Sequence, residues 1–102
     1  MTTMLDLRPD HLAIVRAILH DHLPPDAKAF VFGSRAHGGA RRYSDLDLAL
    51  EWDRPLGLPL IGAIAEALSE SDLPFKVDIL DVTTIDPSFQ ICIAKDWVPL
   101  EI

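Results

Sequence analysis

Cysteine occurs once in these 102 residues, at Cys92 between Ile91 and Ile93. No disulfide or cysteine-built zinc site can therefore form within one chain, and a reducing, cytoplasmic setting is expected. Long apolar runs are missing too. The longest stretch without charge, residues 55–65, falls far short of the roughly 20 residues that a membrane-spanning helix requires. The N-terminus lacks the basic-then-apolar pattern of a secretory signal. Basic residues are scarce, nine against sixteen acids for a net charge of −7, which argues against general binding of nucleic acid through its phosphates. No repeat, linker or low-complexity tract is visible. The 49% hydrophobic and 25% charged fractions are those of an ordinary globular protein, and the length predicts one domain, residues 1–102, around one core.

The few bases are unevenly placed. Residues 33–44 contain Arg35, Arg41 and Arg42 and no acid, so the remainder carries six bases against sixteen acids. A positive loop on an acidic body suits a small anionic ligand at the loop and a basic protein partner elsewhere.

Periodicity predicts a helix over residues 5–23. Pro9 fits its first turn, Leu12, Val15, Ile18 and Leu19 recur at helical spacing, and Pro24-Pro25 stop it. His20 and His22 are two apart, so they do not share a helix face and are expected to point to solvent rather than pair on a metal. A short buried strand follows over 27–32, ending at Gly33, then a loop through Ser44 with room for a helical turn. A second strand spans 45–52. After the Pro- and Gly-containing loop 53–57, Pro59 opens a second helix with Ile61, Ile64, Ala65 and Leu68 inward and Glu66 and Glu70 outward, ending near 72–74. The third strand covers 75–82. Asp86-Pro87 reads as the N-cap and first turn of a short helix with Phe89, Cys92 and Ile93 inward. A last extended segment, 97–102, is confined to a sheet edge by Pro99. This order is that of a small α/β domain.

Acids interrupt two of the apolar strands. In an extended chain Asp45 and Asp47 share one face while Leu46, Leu48 and Leu50 take the other. Asp78 sits in the third strand where a buried position would prefer an apolar side chain. Unpaired buried carboxylates are costly and repel one another unless cations neutralise them. Magnesium, held by one or two carboxylates with phosphate and water completing its shell, meets that need, and two such ions can serve an in-line displacement at phosphorus. Asp78 would then ligate the second ion or accept the proton of the attacking hydroxyl. The Gly33-Ser34 turn offers close backbone approach, exposed N–H groups and a hydroxyl to a phosphate chain. Arg35, Arg41 and Arg42 can offset triphosphate charge or help pyrophosphate leave. Spacing does not choose among them, and solvated loop arginines are the other reading. The bland account of the acids is that Asp45 caps a strand while Asp47 and Asp78 pair with arginines.

Gly33-Ser34, ten residues, then Asp45-Leu46-Asp47 resembles the signature of the nucleotidyltransferase superfamily that includes DNA polymerase beta. Within it, Gly33-Ser34-Arg35-Ala36-His37-Gly38 through Ser44-Asp45-Leu46-Asp47-Leu48 is similar to the minimal nucleotidyltransferase (MNT) group, the antitoxin partners of HEPN toxins. His37 departs from the group, which often has a basic residue there. The resemblance implies the polymerase beta-like fold, a small mixed β-sheet flanked by helices. It implies magnesium on Asp45 and Asp47, Asp78 as third catalytic acid, and Gly33 and Ser34 on the triphosphate of ATP. It further implies AMP transfer, sometimes repeated, onto a tyrosine of a basic, all-helical HEPN toxin held in a hetero-oligomer, blocking the toxin's RNase site. With no second domain expected, the acceptor is expected to be presented by another molecule, the other reading being that oligomerisation completes a substrate pocket.

Other motifs lead nowhere. Gly33 and Gly38 are spaced as in a P-loop, but Gly39-Ala40 stands where Lys-Ser/Thr is required. Arg16 and His22 mimic the toxins' own RNase motif in a chain with too many strands for that fold. Trp52, Trp97 and the phenylalanines are expected in the core rather than as base-stacking platforms. Two other functions stay open: an antitoxin that binds and masks its toxin without catalysis, and a small-molecule, drug-modifying nucleotidyltransferase.

Overall fold

A computed structural model describes residues 7–33, 45–95 and 97–100. Helix α1, Pro9–His22, begins with Pro9 in its first turn, where the missing N–H costs nothing. It begins later than expected, because Leu7 and Arg8 precede the proline in non-helical conformation. Strand β1 (Lys28–Phe32) pairs antiparallel with β2 (Leu46–Glu51), which pairs parallel with β3 (Val77–Asp81). The edge strand β4, Val98–Leu100, pairs antiparallel with β1, and the sheet order is β3-β2-β1-β4. Helix α2 (Leu58–Ser69) connects β2 to β3, as a parallel pair requires. Helix α3 spans Pro87–Ala94.

One sheet face makes the core. Ala29, Val31, Leu46, Leu48 and Leu50 are buried on it against Val15 and Leu19 of α1 and Ile64 and Leu68 of α2. Alternation turns Phe30, Phe32, Asp47 and Asp78 to the opposite face. This is the small mixed sheet with helices that the sequence predicts.

Several local expectations need correction. The strands over 45–52 and 75–82 are shorter, so Asp45 and Trp52 flank β2, and Val82 enters a 3-10 turn whose Thr83 N–H donates to Asp81. Ala65 is exposed, since the buried line on α2 runs through Ile64 and Leu68. Phe89 is also exposed, at 47%, while its neighbour Gln90 is half-buried, and the Cys92 and Ile93 side chains lie outside those described. His22 is half-buried, its Nδ1–H donating to the Ile18 carbonyl at 2.7 Å. Asp86 caps α3 as expected, accepting from Ser88 N–H at 2.8 Å. Trp97 stacks on Phe30 with ring centroids 4.5 Å apart, and Trp52 donates its indole N–H to Asp26 at 2.8 Å.

Candidate active site

Three strand ends meet where the expected site lies. Phe32, the last residue of β1, is in register with Asp47 on β2, and Asp47 is in register with Asp78 on β3. Strand residues in register project to the same side from chains about 4.8 Å apart, so the Asp47 and Asp78 carboxylates are forced neighbours. Asp45 stands just before β2, two residues from Asp47.

Electrostatics record this crowding. Burial pushes the Asp47 carboxyl above its ordinary value, and the charges of Asp78 and then Asp45 push it further. Only Asp47 is half-buried; Asp45 and Asp78 are exposed. The expectation of Asp78 as an acid in a buried strand is therefore corrected: β3 is an edge strand and Asp78 lies on the face away from the core. Its partner is Lys76, with Nζ 3.5 Å from Oδ1. Lysine beside aspartate on a solvated strand looks ordinary in sequence, and Lys76 was not among the residues expected at the site.

Gly33 ends β1 with φ +76°, and a Cβ there would lie 2.5 Å from Asp47 Oδ2. The left-handed backbone favours glycine here, and any side chain would have to displace the Asp47 carboxylate. Ser34, Arg35, His37, Arg41, Arg42 and the expected helical turn lie outside the described residues.

The donor set consists of hard carboxylate oxygens with excess negative charge, which suits magnesium or a similar cation. Among the described residues, no three His, Cys, Asp or Glu side chains are gathered into a complete metal site. Magnesium does not require one, since phosphate and water normally fill much of its shell. A cleft of about 520 Å³ lined by Asp26, Lys28, Glu51 and Trp52 lies at the other end of the sheet, by the Lys28–Glu51 pair, away from these carboxylates.

Residues 15–100 match the family described as Polymerase beta, Nucleotidyltransferase. The chain belongs to that family. This nucleotidyltransferase is 44% identical over 97 residues to a Haemophilus influenzae relative named Probable protein adenylyltransferase MntA, covering 95% of this chain and 84% of the relative. Among solved structures, it is similar to a toxin–antitoxin complex with AMP-PNP at TM-score 0.73 and 24% identity, over 88% of this chain and 72% of that one. A complex of a tri-AMPylated Shewanella oneidensis HEPN toxin with its MNT antitoxin is similar at TM-score 0.68 and 20% identity, over 88% and 68% of the two chains. At such identities these two likenesses establish the nucleotidyltransferase fold. Among the described residues, no helix is long and apolar enough to cross a membrane.

Proposed function

We propose that this nucleotidyltransferase is an antitoxin that transfers AMP from ATP to a tyrosine hydroxyl of a cognate HEPN RNase toxin, in the cytoplasm. The observation that carries the reading is the register of Asp47 with Asp78, with Asp45 close enough to perturb Asp47 and Gly33 against its carboxylate. The protein adenylyltransferase relative and the likeness to toxin–antitoxin complexes support the choice of substrate and partner.

In the transfer, the tyrosine oxygen forms a bond to the α-phosphorus of ATP, and the bond from that phosphorus to the bridging oxygen breaks. Pyrophosphate leaves, and the phenolic proton goes to a carboxylate. We assign this role to Asp78, a reading supported by its being the more exposed of the register pair. Asp45, Asp47 and Asp78 are the residues that would hold magnesium, two ions in the fullest arrangement. When bound, magnesium supplies neutralisation of the triphosphate and of the charge that develops on the leaving oxygen. Gly33 lets a phosphate approach the backbone beside Asp47, Ser34 donates its hydroxyl to the same chain, and Arg35, Arg41 and Arg42 supply counter-charge.

The test uses α-labelled ATP, magnesium and the co-expressed toxin. Label should move to the toxin with wild type and not with Asp45→Asn/Asp47→Asn, a drop of at least a hundredfold. Full neutralisation of the toxin by the double variant without label transfer would replace catalysis by masking. Transfer to small hydroxyl acceptors in the absence of toxin would make this a drug-modifying enzyme.

A further inference from the structure

Lys76 immediately precedes β3, and its carbonyl accepts the Leu46 N–H at 2.9 Å, which ties it to the start of β2 beside Asp45. It lies two residues before Asp78 on extended chain, so both side chains fall on the open face, and its ammonium is 3.5 Å from Asp78 Oδ1. Among the described residues, it is the cation that an ion pair joins to Asp78. The two side chains are 73% and 49% exposed, and pairs that exposed add little to stability.

The pair has more consequence for the site than for the fold. An ammonium against one of three crowded carboxylates restrains that carboxylate's rotamer and cancels part of the charge that attracts a divalent cation. These two effects pull in opposite directions on ion capture and on catalysis.

We propose that Lys76 is a positioning residue, holding the Asp78 carboxylate in line to take the acceptor proton while weakening capture of the divalent cation by the aspartate cluster. The proposal rests on the reading of the three aspartates given above. Removing the ammonium should tighten ion binding and slow transfer. A merely structural lysine would weaken both or neither.

The experiment titrates Mn2+ into the metal-free full chain by calorimetry and measures AMP transfer at saturating Mg2+, for wild type, Lys76→Met, Lys76→Arg and Asp47→Asn. Lys76→Met should bind Mn2+ roughly three- to tenfold more tightly, the size expected for removing one screened like charge. Its kcat should fall roughly tenfold, with KM for ATP little changed, as Asp78 loses alignment. The melting midpoint should stay put, and Lys76→Arg should restore both values. Equal or weaker Mn2+ binding by Lys76→Met, or an unchanged kcat, would overturn the proposal. Wild-type Mn2+ affinity in Asp47→Asn would instead overturn the aspartate reading itself, so the two failures are separable.

Discussion

At the scale of single residues, Asp47 is a carboxylate set against its surroundings. Its carboxyl titrates above the ordinary 3.8, first because of burial and then because of Asp78 and Asp45. The folded state therefore binds its proton more tightly than the unfolded chain does, and stability falls as pH rises from that value through the raised one. Asp47→Asn removes the penalty. In EDTA at neutral pH the variant should melt higher than wild type, and the gap should close as pH is lowered through the same window. Transfer activity should be lost. A variant that melts lower at neutral pH would show that Asp47 supports the fold rather than burdens it. Asp45, Asp47 and Asp78 were legible as candidates because two acids at period two and a lone acid inside an apolar strand are conspicuous. The exposure of Asp78 could not, since whether a strand is central or at an edge depends on strand order. Lys76 was hidden because lysine two residues from aspartate looks ordinary in sequence, and the pair bears on the site only once the β2–β3 register sets Asp78 against Asp47.

At the scale of elements, chain punctuation was the readable part. Pro9 and Pro24-Pro25 bracket α1, Asp86 caps α3, and Pro99 sits on an edge strand. Element ends and inward faces were less readable, as Ala65 and Phe89 show, because burial at the rim of a helix depends on what the neighbouring element covers. Gly57 offers a clean test of the punctuation. It caps the start of α2 at φ +91° and ψ 147°, and a Cβ there would meet nothing closer than Pro59 Cδ at 3.8 Å. Gly57→Ala thus tests backbone strain without a clash. Such strain costs about 1–3 kcal/mol, so the melting midpoint should fall by roughly 5–15 °C. The residue lies past the end of β2 remote from Asp47, so kcat of the folded variant should be unchanged. An unaltered melting midpoint would mean that the α2 entry relaxes at no cost.

At the scale of the whole molecule, the distribution of charge is the property that bears on assembly. Outside residues 33–44 the chain has six bases against sixteen acids, so an approaching protein meets a negative field over most of the surface. For a basic toxin that field accelerates encounter, and an association rate gained in this way is lost as salt shortens the Debye length from about 10 Å at 0.1 M toward 3 Å at 1 M. Between 50 mM and 500 mM NaCl, the association rate constant with the toxin should drop roughly tenfold. The dissociation rate should change far less, because contacts already formed are screened less than separated charges are. Stopped-flow mixing of the two separately purified proteins measures both constants. If the association rate is flat across that range, steering by the acidic surface is excluded, and complex formation must be governed by shape and apolar contact instead.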